Sequence, residues 1–201
     1  MSRLDPLPPE ATPELEPLYA LVARSMGFVP NSLRVMGRWP ELVRAFGGLA
    51  ATVLAPRRLP AGTKQLVAFV ASSAAGCRYC QAHTAHGAAR DGVPAEKLEA
   101  AFAFETSPLF DAAERAALRL AFDASLAPPQ TTEDHFAELR RHYDEDTILE
   151  IVAVIALFGW LNRWNDALAT PLEAAPRAFA ERHLAPQGWS PGAHVEPADS
   201  E

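Results

Sequence analysis

The sequence is poor in cysteine, in basic runs and in long charge-free apolar runs, and each absence excludes a class of protein. Two cysteines in 201 residues are too few for the disulfide framework of a small secreted domain. Acidic residues outnumber basic ones by 25 to 18, and no run of five Lys or Arg occurs, which argues against a nucleic-acid-binding protein. No stretch reaches the roughly 18 charge-free apolar residues of a membrane-spanning helix, and the first 17 residues lack the apolar segment of a secretory signal. We therefore expect a cytoplasmic protein that binds neither nucleic acid nor membranes.

The pattern of the chain predicts an all-α fold. No useful stretch alternates apolar and polar residues with period two, whereas Ala, Leu, Glu and Arg dominate segments that are punctuated by the 18 prolines. We expect a bundle of helical hairpins. Residues 1–13 read as an extended lead-in, 14–185 as a single all-α domain, and 186–201, rich in Pro, Gly and charge, as a loose tail.

The longest predicted helix runs from about Glu145 to Thr170. Its middle, IVAVIALFGWL, is apolar on every side, which is typical of a helix buried in a core or in a subunit interface. The pattern therefore predicts a homo-oligomer. Glu150 stands alone at the start of this apolar run, and a buried carboxylate without a partner is costly. It is a candidate pocket residue, although an ordinary structural ion pair explains it equally simply.

Both cysteines occur in GCRYCQAHTAH, residues 76–86, with the spacing Cys77-x-x-Cys80-x-x-His83-x-x-His86. Four metal ligands on one helix are excluded by geometry, because nine residues turn the helix by about 900° and place Cys77 and His86 on opposite faces. A disulfide would close a very short loop and constrain the unfolded chain little. A buried inert pair is the bland alternative. We expect no metal site.

Redox chemistry is the interpretation with the best physical basis. If a helix begins near Cys77, its free N–H groups and dipole stabilise a thiolate there. A second thiol three residues later can then resolve a sulfenic acid or a mixed disulfide. His83 lies one turn beyond Cys80 and can exchange a proton with it. His86 is further away, and a surface or interface role explains it as well.

These residues resemble a known family. The segment KQLVAFVASSAAGCRYCQAHTAHGAARDGVPAEKL, residues 64–98, resembles the alkylhydroperoxidase D-like, peroxidase-related branch of the carboxymuconolactone decarboxylase family. The flanks GFVPNSLRVMGRWPELVRAF, residues 27–46, and ALFGWLNRWNDALATPLE, residues 156–173, are similar to the same branch. The resemblance covers about residues 26–173. The decarboxylase branch lacks the Cys-x-x-Cys motif, so the motif argues against that activity.

The resemblance implies a thiol-dependent peroxidase or disulfide oxidoreductase that reduces hydroperoxides. In this role Cys80 attacks the peroxide, Cys77 closes the disulfide, and an external dithiol reduces it again. The catalytic residues would be Cys80, Cys77 and His83, with no cofactor beyond the redox-active disulfide. The family also implies a dimer, trimer or hexamer. Cys80 as the attacking thiol conflicts with the helix-terminus argument, which favours Cys77.

The chain departs from the family at two relay positions. The family glutamate is Gln65 here, and an amide cannot act as a base. The family histidine is Thr84 here, flanked by His83 and His86. His83 is the nearest substitute base, Tyr79 can contribute a hydroxyl, and Glu150 is a candidate acid.

Two polar residues after the apolar run, Asn162 and Arg163, are further pocket candidates, since an arginine can hold a carboxylate. Interface packing explains them as well. Two other functions therefore stay open. One is a lyase or isomerase-like enzyme acting on a small organic acid, in which the thiols are incidental. The other is a non-catalytic helical oligomer that senses redox state.

Overall fold

The computed structural model describes residues 2–195, and in that range every regular element is helical, so the all-α prediction is confirmed. Short 3-10 turns lie before α1, after α6 and after α10. The helices are α1 (Glu16–Met26), α2 (Asn31–Met36), α3 (Pro40–Leu54), α4 (Ala61–Ala75), α5 (Arg78–Arg90), α6 (Ala95–Glu99), α7 (Ala112–Ala124), α8 (Glu133–Leu139), α9 (Glu145–Leu168) and α10 (Ala174–His183).

Helix α4 is the centre of the domain. It packs against α5, α7 and α9, and six consecutive side chains from Leu66 to Ala71 are buried. A helix covered on all sides needs small and apolar residues around its whole circumference, which matches its sequence AGTKQLVAFVASSAA. α5 packs between α4 and α10, so the cysteine helix is held from two sides.

Gly76 joins the two helices that frame the cysteines. It ends α4 with a left-handed backbone, φ +80°, a conformation that glycine adopts without steric cost. Cys77 is then the N-cap of α5. The helix start expected near Cys77 is therefore present, and it places both thiols in the first turn of α5.

The C-terminal segment differs from its prediction. The tail was expected to be loose from residue 186, yet Trp189 and His194 are buried and the indole Nε1 of Trp189 donates to the carbonyl of Arg78. The backbone N–H of Leu172 also donates to the carbonyl of His194. Burial of a large aromatic side chain gives the segment its anchor, so up to residue 195 the tail packs on α5 and the end of α9; the rest of it lies outside the described residues.

Helix α9 is long and apolar enough to cross a membrane by length and composition, and half of its most apolar window is buried inside this chain. Its start packs near α4 and its end near α5. One side carries exposed apolar residues, among them Leu149 and Trp160.

Candidate functional site

The two thiols lie in the first turn of α5 and are both free and buried. The backbone N–H of Cys80 donates to Sγ of Cys77 at 3.4 Å, as the N-cap position of Cys77 requires. Burial raises the pKa of the Cys77 thiol, and the neighbouring Cys80 and the Asp166 carboxylate raise it further. At Cys77, removal from water therefore outweighs the stabilisation of a thiolate by the helix terminus.

Cys80 receives a hydrogen bond from α9. The amide Nδ2 of Asn165 lies 3.4 Å from Sγ of Cys80 and also donates to the carbonyl of Leu161. Asn165 is completely buried. The contact gives the Cys80 sulfur a buried side-chain donor from α9.

A carboxylate that the sequence analysis did not single out organises the partly buried side of α5 that carries Tyr79 and His83. Glu173, the N-cap of α10, lies with Oε2 2.5 Å from Nε2 of His83 and with Oε1 2.8 Å from the hydroxyl of Tyr79. The backbone N–H of Asn31 donates to Oε1 as well. Three separate segments of the chain meet here, namely α5, the start of α2 and the N-cap of α10, and Glu173 contacts the other two.

The same cluster fixes the protonation of two of its members. Burial opposes ionisation of Glu173, but His83 and the Asn31 N–H outweigh it and hold the pKa of Glu173 below its ordinary value. Burial, reinforced by the charge of Glu173, raises the pKa of Tyr79 well above its ordinary value. Tyr79 therefore stays protonated and donates to a carboxylate. The Tyr79 and His83 rings stack with their centroids 4.2 Å apart, which holds the imidazole in place.

The other predicted relay residues are not brought into this cluster. The Thr84 hydroxyl donates to the carbonyls of Cys80 and Gln81 within α5. Gln65 packs on Gly87, where an added Cβ would lie 3.1 Å from its amide group, two turns beyond Cys80. His86 contacts Phe28 and Phe179. Burial, Arg90 and His83 lower the pKa of His86, so its ring is neutral at pH 7.

Glu150 lies far from the thiols. Fifteen residues separate it from Asn165 along α9, which is about 22 Å of helix. Its carboxylate accepts the backbone N–H groups of Arg58 and Leu59 and lies 3.2 Å from Nζ of Lys64. The structure thus gives Glu150 a structural ion pair and corrects its placement in the pocket.

The two candidates after the apolar run separate. Arg163 is exposed on α9, away from the buried face. Asn162 is buried, and neither atom of its amide has a hydrogen-bond partner among the described residues. The Oδ1 of Asn165 is unpartnered there too. Buried polar groups are rarely left unpaired, so these amides are available to a bound molecule or to water.

A single sequence offered little signal for Glu173. It is the last residue of the C-terminal stretch that resembles the family, ALATPLE, and it lies 90 residues from His83. Pro171 and Pro176 flank it, so the segment reads as a loop. Its one visible sign was an acid among apolar residues just beyond the longest helix.

Comparisons with known proteins agree with this architecture. The model of the carboxymuconolactone decarboxylase family matches residues 40–123. The uncharacterized protein YnjA of Escherichia coli (strain K12) is 30% identical over 171 residues, which cover 84% of this chain and 93% of YnjA. The family match includes α4 and α5, where the two cysteines lie.

Solved structures extend the likeness. The debrominase Bmp8 is 44% identical, with a TM-score of 0.83 over 89% of this chain and 96% of its own. A cysteine-to-alanine variant of Bmp8, solved in complex with 2,3,4-tribromopyrrole, superposes with a TM-score of 0.85, is 42% identical and covers 90% and 97% of the two chains. A peroxidase-related protein from Ralstonia eutropha JMP134 with an alkylhydroperoxidase core shares the fold at 22% identity, with a TM-score of 0.75 over 89% and 95%. The chain therefore belongs to the carboxymuconolactone decarboxylase family and has the fold of an alkylhydroperoxidase core.

Proposed function

We propose that the protein is a dithiol oxidoreductase that reductively removes bromine from a small brominated aromatic compound of the bromopyrrole class. The observation that carries the substrate class is the likeness to the debrominase Bmp8, 44% identical over nearly the whole of both chains. The observation that supports the chemistry is the buried dithiol beside a proton-carrying cluster. These two features supply the electrons and the proton that a reductive dehalogenation consumes.

The reaction balances with the two thiols as the electron source. The Cys80 thiolate takes the bromine while the ring carbon takes a proton. The Cys77 thiol then displaces bromide from the Cys80 sulfur and releases its own proton. The sum is the brominated ring plus the Cys80 thiolate and the Cys77 thiol, going to the debrominated ring, bromide and the Cys77–Cys80 disulfide. An external dithiol returns the disulfide to the reduced state.

Cys80 is the attacking sulfur in this proposal and Cys77 the resolving one. Asn165 donates to the Cys80 sulfur, whereas burial raises the pKa of Cys77. A thiolate is the nucleophilic form, so the thiol with a dedicated donor is the better nucleophile. His83 follows Cys80 by three residues on the same helix face and supplies the proton, while Glu173 and Tyr79 fix its ring.

Hydroperoxide reduction is the second candidate. Its balance is similar: Cys80 attacks the peroxide and becomes a sulfenic acid, the alkoxide takes a proton from His83, and Cys77 condenses with the sulfenic acid to give the disulfide and water. Only 2% of Cys80 is exposed, which favours a substrate as small as a peroxide. The fold shared with peroxidase-related proteins agrees with this candidate.

A single-turnover experiment separates the two candidates. The reduced protein, with excess reductant removed, is mixed with 2,3,4-tribromopyrrole or with tert-butyl hydroperoxide, and bromide, alcohol and remaining thiols are quantified. We expect one bromide and one disulfide per chain from the bromopyrrole. Cys80→Ser should abolish the release of bromide. Cys77→Ser lacks the resolving thiol, so its reaction should stop at a Cys80 adduct or release bromide slowly and only once. Arg177→Ala, an exposed change on α10, serves as the control.

Each outcome decides between the candidates. If only the peroxide oxidises the dithiol, the debromination proposal is wrong and the peroxidase proposal stands. If Cys80→Ser releases bromide at the rate of the unmodified protein, the thiol chemistry is wrong. If neither compound consumes thiols, both proposals fail, and a redox-sensing role or chemistry independent of the thiols replaces them.

The remaining functional properties are proposals of the same kind. We propose a cytoplasmic enzyme that needs no cofactor beyond its disulfide and that is reduced by an external dithiol. A reducing compartment suits a dithiol that must be reset after every turnover.

We also propose a homo-oligomer. The exposed side of α9 carries Leu149, 63% exposed, and Trp160, and α3 beside it carries Leu49. An apolar face of this kind is typical of an interface. Light scattering should give a mass that is a multiple of 21.7 kDa, and Leu149→Glu should lower that multiple. A single-chain mass for the unmodified protein would contradict the prediction.

A further inference from the structure

The C-terminal tail brings a buried histidine to the back of the dithiol. His194 is 4% exposed, and one of its ring nitrogens, a carboxylate oxygen of Asp166 and Sγ of Cys77 all lie within 4.8 Å of one another. The mechanism proposed above uses neither Asp166 nor His194. The three residues come from the start of α5, the last turn of α9 and the tail, so their donor atoms converge from three directions.

The two nitrogens of His194 face two acceptors. Nδ1 lies 2.8 Å from the carbonyl oxygen of Thr170, and Nε2 lies 3.2 Å from Oδ1 of Asp166. A carbonyl accepts only, so Nδ1 carries a proton and, in the neutral ring, Nε2 presents its lone pair. The Nε2 lone pair and the negatively charged carboxylate repel each other, and a cation bound between them would remove this repulsion. An Nδ1–H bond to a backbone carbonyl is also the usual way in which a metal-binding histidine is oriented.

We propose that Cys77, Asp166 and His194 form a binding site for a zinc ion in the reduced protein. A thiolate, an imidazole nitrogen and a carboxylate are ligands that zinc accepts, at about 2.3 Å for sulfur and about 2.0 Å for nitrogen and oxygen. Donors within 4.8 Å of one another are near the spacing that one ion would impose. A thiolate donor is unsuited to magnesium or calcium, which prefer oxygen.

The coordination leaves a fourth position for water. The Asp166 side chain is 42% exposed, so its edge of the site is open to solvent, whereas Cys77 and His194 are buried. Three protein ligands and one open position are a common arrangement for zinc. The helix geometry that excludes four ligands along α5 does not apply here, because only Cys77 comes from that helix.

Zinc and the disulfide compete for the same sulfur. A metal-bound Cys77 thiolate cannot form the bond to Cys80, and the disulfide has no thiolate to give to the metal. Zinc binding is therefore specific to the reduced state. If the proposed dithiol function is right, zinc also inhibits turnover and oxidation releases the ion; this consequence rests on the proposed function, but the binding itself does not.

Zinc binding by the reduced full-length chain, without substrate, tests the site. Competition with a chromophoric chelator should give one ion per chain. The affinity should fall as the pH is lowered, because the ligands must lose their protons to bind the metal. His194→Ala and Asp166→Asn should each weaken binding by at least the roughly 10–100-fold that losing an outer-shell partner costs, and Cys77→Ser should do the same. Cys80→Ser and His183→Ala are the matched controls that keep the affinity.

Cobalt binding gives a readout that is independent of affinity. With Co²⁺ in place of zinc, the reduced chain and the Cys80→Ser variant should show a thiolate charge-transfer band that the Cys77→Ser variant lacks. Asp166→Asn keeps the test valid if His194→Ala disturbs the tail, because the Asp166 side chain is partly exposed. The site is refuted if the reduced chain binds no zinc, if the disulfide form binds it equally well, or if Asp166→Asn and Cys77→Ser leave affinity and band unchanged.

Discussion

Glu173→Gln should lower the rate of the proposed dithiol reaction by about 10²–10⁴-fold, the usual contribution of a positioned acid–base group. The change is nearly isosteric but removes the charge that His83 faces at 2.5 Å. The amide oxygen can still accept a hydrogen bond from the Tyr79 hydroxyl or from the Asn31 N–H. The amide N–H₂ group carries no negative charge and accepts no hydrogen bond, so it cannot hold and orient the imidazole as the carboxylate does. The rate is measured by single-turnover disulfide formation, so that reduction by the external dithiol does not limit it.

The pH profile separates a proton-relay role from a merely structural one. Because the pKa of Glu173 is held below its ordinary value, the carboxylate should stay ionised down to about pH 4.3, the ordinary value for glutamate. Both proteins lose rate as the thiols are protonated, so the comparison is the ratio of the unmodified rate to the Glu173→Gln rate at each pH. That ratio should stay constant down to about pH 4.3 and should fall towards one below it, as Glu173 is protonated.

Tyr79→Phe is the matched variant for this cluster. It removes one donor to Glu173 but keeps the ring that stacks on His83, so a smaller loss of rate is expected. Circular dichroism of each variant checks that the helices are retained. A Glu173→Gln protein with the rate and pH profile of the unmodified chain would show that His83 works without this carboxylate.

The fold was predictable because the residues that begin and end its helices can be recognised in the local sequence. Pro40 opens α3, a position that suits proline, and Gly76 separates α4 from the cysteine helix with the left-handed turn that glycine allows. Helix α10 is harder to recognise from the sequence, because Pro176 falls in its first turn and makes a short segment look broken. Prolines are tolerated at a helix start, but a sequence alone does not say whether such a segment ends or begins there.

The site was predictable only along α5. Cys77, Cys80, Tyr79 and His83 share one helix, so their spacing fixes their mutual positions. Glu173 reaches His83 and Tyr79, and His194 reaches Cys77, from distant parts of the chain, and a single sequence carries no measure of such distances. The geometric argument against four metal ligands along α5 concerns that helix alone, so it does not address a ligand set that combines Cys77 with residues from two other segments.

Lys64, the partner of Glu150, is also far from it in the sequence, so a single sequence does not show the pair. Its replacement has the largest expected effect on stability. Lys64 is 2% exposed, and its Nζ lies 2.8 Å from the carbonyl of Val53, 2.7 Å from that of Ala55 and 3.2 Å from Glu150. The ammonium therefore closes the C-terminal end of α3 onto α4 and α9. All three of its donors are used, which is the condition under which a buried charge is tolerated.

Lys64→Met should lower the free energy of unfolding by about 3 kcal/mol, because it leaves the buried Glu150 carboxylate with only the exposed Arg57, 3.5 Å away, as a counter-charge. In a domain of this size that corresponds to a fall in Tm of roughly 10 °C. Urea unfolding at pH 7 measures the change. Arg177→Ala, which removes an exposed ion pair with Glu181, should have little effect, since such pairs contribute little.

A second substitution tests whether the stranded charge is the cause. Glu150→Gln in the Lys64→Met background keeps an acceptor oxygen for one of the two backbone N–H groups of Arg58 and Leu59 and removes the charge, so the double variant should be more stable than Lys64→Met alone. Burial opposes ionisation of Glu150, but those N–H groups and Lys64 hold its pKa below the ordinary value. The pair therefore stabilises the fold above about pH 4.3, and this contribution is lost as the pH falls through the lowered pKa. If the double variant is less stable than Lys64→Met, the loss comes from packing and from the carbonyls of Val53 and Ala55, and the ion pair is not what joins α3, α4 and α9.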